Sequence, residues 1–227
     1  MAVAFMTTAA SMAQTADEIL AKSIEARGGA EKMNSLKSMR MECTTSVMGM
    51  ELPTKIQIVN KRGVRSDVEV MGQKITQTID GDKGWMINPM QGGSDPVELP
   101  ADQVKASASQ MDLSGVTNYK NAGTTAELLG KEMVDGTETF KVKTTSKDGL
   151  IITHFIDTKT YYIVKSIIKV QETEVETKMS NYKVVDGIAF AHTTEMSNPQ
   201  AGSIITTITK LEVNPTIDEA VFAMPKK

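Results

Sequence analysis

The sequence predicts a mainly β, α+β chain built around one large antiparallel sheet. Three observations carry this reading. Apolar and polar residues alternate with period 2 along most of the chain, glycine-bearing turn signals separate the runs, and helical spacing is confined to two segments. The clearest stretch is Val64 to Ile87. There Val68 and Val70 alternate with Asp67 and Glu69, and Ile75, Gln77 and Ile79 alternate with Thr76 and Thr78, which reads as strands with one wet face. Gly72 folds the first pair back, and Gly81 and Gly84 supply the positive backbone angles of the next turn, before the strand that carries the only tryptophan.

Taken in order, Thr15-Ala16-Asp17-Glu18 is a capping box, and Ile19, Leu20, Ile24, Met33 and Leu36 recur at helical spacing, interrupted by Gly28-Gly29. This is an amphipathic helix pair suited to covering a sheet face. From Met39 the pattern becomes β. Met39, Met41, Cys43, Thr45 and Val47 share one face; Gly49 to Pro53 turns the chain, and Ile56, Ile58 and Asn60 return it. Asn88 to Pro100 is an aperiodic Gly/Pro-rich loop, and Ala101 to Leu113, with Val104, Ala108 and Met111, reads as a second helical segment placed where a lid or a crossover would sit.

Strands are expected again at Val116 to Tyr119, Ala126 to Met133 and around Phe140, Val142 and Thr144, with turns at Val134-Asp135-Gly136 and Lys147-Asp148-Gly149. LIITHFID, the Tyr162, Val164, Ile168 and Val170 run, Val175 to Met179, IAFAHTTEM after Val185-Asp186-Gly187, and Ser203 to Val213 complete the set. One helical turn is expected at Ile217 to Phe222. Such spacing suits a sandwich or barrel, and no linker divides residues 14–227, so a single domain is expected.

Composition narrows the partners. The net charge of −3 and the scattered lysines leave no basic patch for nucleic acid or anionic membrane surfaces. The one cysteine, Cys43, cannot form an internal disulfide and, alternating with Met39 and Met41, reads as a buried, inert thiol. Sixteen methionines against five phenylalanines mean that flexible thioethers, not rings, fill much of the apolar space, as in surfaces that accept varied apolar partners. Residues 1–13 read as the remnant of a secretory signal, with Ser11-Met12-Ala13 as a small-x-small cleavage pattern. A basic n-region is missing, so a start upstream of Met1, or a mis-assigned start, is expected. The mature protein is expected in the periplasm, soluble, untethered and monomeric.

Chemistry-bearing constellations are sparse. His154 and His192 each lie inside a strand with no ligand-spaced partner, and no G-x-S-x-G elbow or phosphate-cradling glycine loop occurs. Glu172, Glu174 and Glu176 fall on one strand face and read as a solvated edge. No catalytic residue, metal or cofactor is expected. A curved sheet that does not close leaves an apolar concavity, which is the default binding site and, in an exported protein, suits a ligand that water will not carry. Candidate cavity residues from alternation are Met39, Met41, Val68, Val70, Trp85, Ile87, Phe140, Val142, Val164 and Ile168.

Four phrases carry a family resemblance: ADEILAKSIEARGGAEKMNSLKSM, IDGDKGWMINP, VVDGIAFAHTTEM and KLEVNPTIDEAVFAMP. Together, over nearly all of residues 15–227, they resemble the outer-membrane lipoprotein-sorting proteins of the LolA/LolB-like superfamily, in the version common in Bacteroidetes-like bacteria. The resemblance implies an unclosed antiparallel β-barrel of about eleven strands with helices covering its open concave side. It also implies a cavity for lipid or lipoprotein acyl chains carried toward the outer membrane, with membrane-bound donor or acceptor proteins as partners. The arginine and aromatic residues of the best-studied carriers have no matching motif here, so none is carried over. The alternative on the same fold is a non-enzymatic protein-binding or sensor domain. The two differ in whether the methionine-rich faces enclose a void or pack against the helices.

Overall fold

Tight hairpins set the sheet. The computed structural model describes residues 14–91, 93–107, 111–147, 149–170, 173–198 and 202–225. The expected leader at residues 1–13, Ala108 of the helical segment, Asp148 of its turn and Glu172 of the acidic row lie outside them. Helices α1 (Ala16–Ala26) and α2 (Ala30–Asn34) precede β1 (Ser38–Val47), β2 (Met50–Val59), β3 (Gly63–Val70), β4 (Gln73–Asp80), β5 (Lys83–Ile87) and the short β6 (Val97–Glu98). Helix α3 (Ala101–Ser107) and a 3-10 turn at Gly115–Asn118 lead to β7 (Thr125–Val134), β8 (Thr137–Thr145), β9 (Ile151–Asp157) and β10 (Ile163–Val170). The last strands are β11 (Thr173–Val185), β12 (Ile188–Asn198) and β13 (Gly202–Val213), followed by a 3-10 turn at Glu219–Phe222.

All thirteen described strands form one antiparallel sheet in the order β6-β5-β4-β3-β2-β1-β13-β12-β11-β10-β9-β8-β7. Two meanders, β1 to β6 and β7 to β13, join where β1 pairs with β13. The end strands β6 and β7 do not pair, so the barrel is open, as expected, with thirteen strands rather than about eleven.

The helices lie on one face, called inner here. Ala16, Ile19 and Leu20 of α1 pack on Phe140, Val142 and Ile156. Ile24, Met33 and Leu36 cover Met39, Ile188 and Phe190. Val104 and Met111 cover Ile58, Val64 and Ile79. The capping box forms as read, with Thr15 Oγ1 accepting from the Glu18 amide at 3.2 Å and Glu18 Oε2 from the Thr15 amide at 2.9 Å.

Several local expectations are corrected. Val116 to Tyr119 is mostly a 3-10 turn, not a strand: four residues without a partner strand close i→i+3 bonds, with the Tyr119 amide donating to Val116 O at 3.3 Å. The first turn is only Met48-Gly49, and Pro53 belongs to β2, tolerated because β3 pairing starts beyond it, at Thr54. Gly84 is extended within β5; a Cβ there would stand 2.8 Å from Ile79 and 3.0 Å from Leu99 and Val104, so its role is close packing. The helical segment from Ala101 is α-helix over Ala101–Ser107, as read, and residues 108–110 lie outside the described residues.

The face of Thr76 and Thr78 is not wet. Thr78 and Phe222 are fully buried, because the C-terminal segment straps across the outer side of β3, β4 and β5. Trp85 Nε1 donates to Phe222 O at 2.8 Å, Arg65 donates to Val221 O at 2.8 Å, and a Cβ on Gly63 would meet the Phe222 ring at 3.0 Å. Truncation at a site this enclosed costs about 3–5 kcal/mol. Phe222→Ala is therefore expected to lower the unfolding free energy by about 3 kcal/mol or more in urea titration, with red-shifted native Trp85 emission; an unchanged midpoint and emission would mean that the strap is not integral.

Candidate functional site: the uncharged inner face

Register assigns each strand residue to a face. Starting from the helix-covered residues, the inner side of β1 runs Met39, Met41, Cys43, Thr45, Val47, opposite Ile58, Ile56, Thr54, Leu52 and Met50 of β2. The helices cover the Met39 end. Six residues along β1, roughly 20 Å at about 3.3 Å per residue, the inner face is only half-buried: Thr45, Val47, Leu52, Val68, Val70 and Ile75 on one side, Ile204, Thr206, Thr194, Thr177 and Ile168 on the other.

This open half carries no charge. Among the described inward-facing residues of β1 to β4 and β8 to β13 beyond the helices, none is Asp, Glu, Lys or Arg. The alternate, outward positions of the same strands carry Lys55, Asp67, Glu69, Lys74, Lys165 and Glu195. Glu174 and Glu176 are outward too, with Glu176 3.7 Å from Lys165, in keeping with a solvated face. In a chain that is 23% charged, a half-exposed surface stripped of charge is selected for contact with something other than water.

The candidate cavity residues divide between the faces. Met39 and Met41 lie inward under α2 and the residues after α3; Phe140 and Val142 lie inward under α1; Val68, Val70 and Ile168 lie on the open half. Val164 falls at the β-bulge between Ile163 and Lys165. Trp85 and Ile87 pair with Thr78 and Thr76 on the outer side, so the register separates them from the seven placed inward. Sequence reading put Thr45 on the Met39 face but missed Thr206, Thr194 and Ser166 as polar inner positions, because threonine and serine carry no signal of their own in a strand and only cross-strand register aligns them. Two recesses lie elsewhere. One of about 410 Å³, at the β5 edge, is lined by Trp85, Leu99, Val104, Phe222 and Met224. The other, of about 290 Å³, lies among Pro53, Lys55, Asp67, Glu69 and Lys74 on the outer side.

Burial holds two inner residues, Cys43 and His154, neutral. Cys43 is buried and its thiol is pushed up to about 11 by desolvation. His154 Nδ1 is 3.1 Å from Ser166 Oγ and Nε2 3.3 Å from Thr144 Oγ1; burial lowers its pKa to about 4. His192 Nδ1 donates to Phe190 O at 3.0 Å. No group of three or more His, Cys, Asp or Glu among the described residues could hold a metal, and no helix among them is long and apolar enough to cross a membrane.

Helix α1 is tethered at both ends. Tyr119 Oη donates to Asp17 at 2.6 Å, and Lys120 Nζ lies 2.8 Å from the same carboxylate; these hydrogen bonds, that of Lys120 first, lower the Asp17 pKa. Gln14 and Lys22 each donate to Tyr161 Oη at 3.3 Å. At the other end the Ala189 amide donates to Arg27 O at 3.0 Å. Ser23 Oγ of α1 and Nε of Arg27, its C-cap, are buried with no hydrogen-bond partner among the described residues.

No protein-family model matches the sequence, and no curated protein matches it. Solved structures share the fold. A LolA superfamily protein from Nitrosomonas europaea superposes with a TM-score of 0.61 at 13% identity, over 93% of this chain and 98% of that one. A candidate outer membrane lipoprotein-sorting protein domain from Vibrio parahaemolyticus gives 0.57 at 16% identity, over 90% and 94%. A DUF1329 family protein from Desulfovibrio piger gives 0.54 at 12%, over 92% and 97%.

The His154 pKa sets a pH dependence. A histidine neutral when folded but with an ordinary pKa of 6.5 when unfolded stabilises the fold fully above about pH 6.5, and this contribution is lost as the pH falls toward about 4. Lowering the imidazole from 6.5 to about 4 is worth about 3 kcal/mol. Urea unfolding at pH 7 and pH 4.5 is expected to show that loss, and His154→Gln to remove that part of the slope; an identical slope in the variant would refute the burial account.

Proposed function

We propose that this chain is a periplasmic carrier that holds lipid, or the acyl chains of lipoproteins, against its inner face for transfer toward the outer membrane. The observation that carries the reading is the half-exposed inner face without charge, beside a helix-covered apolar zone. Each methylene taken from water there contributes about 0.8 kcal/mol, so half an acyl chain gives useful affinity without a directional bond. The role is binding, not catalysis.

The shared fold with a LolA superfamily protein and a candidate lipoprotein-sorting domain supports the reading. So does the sequence resemblance to the Bacteroidetes-type sorting proteins, with export by a leader cleaved near Ala13 and exchange with membrane-bound donor or acceptor proteins. The covered half is packed: Met39 and Met41 meet α2 and Leu113. Loading a whole chain therefore requires α1 and α2 to lift. The unpartnered Ser23 and Arg27 donors lower the cost of lifting, since leaving the sheet returns both to water. That packing also favours the second reading, a protein-binding domain that presents the open half to a partner polypeptide.

Native mass spectrometry and organic extraction of protein purified from a bacterial periplasm are expected to yield a co-purifying acyl species. Val68→Glu, a charge on the open half, is expected to weaken displacement of a fluorescent fatty-acid probe at least tenfold with the fold intact. Wild-type Trp85 emission is expected to stay constant during loading. A clean apo mass together with no probe binding would discard the carrier in favour of the protein-binding domain.

A further inference from the structure

A row of hydroxyl and imidazole groups crosses the inner face. It starts on β2, where Thr54 Oγ1 donates to Thr45 Oγ1 of β1 at 3.0 Å. Thr45 Oγ1 lies 3.4 Å from Thr206 Oγ1 of β13, and Thr206 stands directly opposite Thr194 of β12. On β11 Met179 stands opposite Thr194, and the row resumes one inward position along, where Thr177 faces Ser166 of β10. Ser166 Oγ then meets His154 Nδ1 at 3.1 Å, and His154 Nε2 meets Thr144 Oγ1 of β8 at 3.3 Å. Thr54, His154 and Thr144 are buried, whereas Thr45, Thr206, Thr194, Thr177 and Ser166 are half-buried and face the open half. With strands about 4.8 Å apart, these five span roughly 19 Å.

We infer that the preferred ligand is an amphiphile with an uncharged, hydroxyl-bearing headgroup, such as a glycerol or sugar, laid along the row from Thr45 to Ser166 with its acyl chain on the apolar inner face. The inference rests on the carrier reading and names its ligand class.

The chemistry of the row selects the headgroup. A hydroxyl both donates and accepts, so a chain of them can reorient to match either role in an incoming hydroxyl. An anionic or cationic headgroup would meet no counter-charge on this half-desolvated surface and would be bound at a desolvation cost. Threonine also occurs on the outer side of these strands, for example Thr44, Thr193 and Thr207. There it is interleaved with Glu42, Glu195 and Lys210, so the inner row stands apart by its lack of charge rather than by threonine content.

The test compares ligands of equal chain length in displacing a fluorescent acyl probe at pH 8: a 1-monoacylglycerol, an alkyl glucoside and a fatty acid. At least one neutral ligand is expected to act at about tenfold lower concentration than the fatty acid, in line with one or two net hydrogen bonds. Thr45→Val with Thr206→Val, which keeps side-chain shape and strand propensity, is expected to shrink that ratio to below about threefold while changing fatty-acid displacement less than twofold. Ser166→Ala probes the other end of the row, and is expected to reduce the ratio in the same direction. A fatty acid that binds as tightly as both neutral ligands, or a ratio untouched by all three substitutions, overturns the headgroup assignment and leaves the carrier standing. No displacement by any of the three overturns both.

Discussion

An antiparallel sheet of thirteen strands whose ends do not meet has two large faces, and it cannot bury either by closing on itself. That constraint shapes the rest of the molecule. The N-terminal helices and the segment after β6 bury the Met39 end of the inner face, and the C-terminal strap buries the β3 to β5 part of the outer face. The chain termini thus work on opposite sides of the same sheet. What neither reaches is the open half of the inner face, and its freedom from charge turns a gap in coverage into a candidate site.

The two faces solve different problems. Outward positions pair charges, along a strand in Arg65 with Asp67 and across strands in Lys165 with Glu176, and lysine stems cover buried rings, with Lys165 Nζ 4.1 Å from the Phe155 ring centroid. Such a surface is stable in water and repels edge-to-edge or face-to-face association. On the open half, inward positions hold apolar, hydroxyl and amide groups without charge, and burial keeps the inward Cys43 and His154 neutral. A face of that kind gains most when a ligand or a helix displaces its water. Helix α1 is fastened at both ends, yet Ser23 Oγ within it and Nε of its C-cap Arg27 are buried without hydrogen-bond partners among the described residues.

Much of the fold was legible because its signals are local. Hairpins at Val134-Asp135-Gly136 and Val185-Asp186-Gly187 put Asp at a positive φ before Gly, and the Thr15 to Glu18 capping box needs only four residues. The errors arose where short sequence has no local partner. Val116 to Tyr119 has β-like composition but no strand beside it, and β6 is two residues held only by pairing with Trp85 and Met86. Gly84 looked like a turn glycine, and only the approach of Leu99 and Val104 explains it.

By itself the sequence determined the alternation, the turns, the helix caps and hence an antiparallel sheet with helices to cover it, because period, turn angles and capping are set by residues within a few positions of one another. It also separated each strand into two faces. Which face was inner it left open: Trp85 and Ile87 read like Met39 and Val68 until register placed both on the outer side, Trp85 beneath the C-terminal strap. Only the tertiary structure decided that, because the face of a strand is chosen by what packs on it, here segments more than a hundred residues away. The same long-range register lined up Thr54, Thr45, Thr206 and Thr194 from positions up to 161 residues apart, and no local pattern announces such a row.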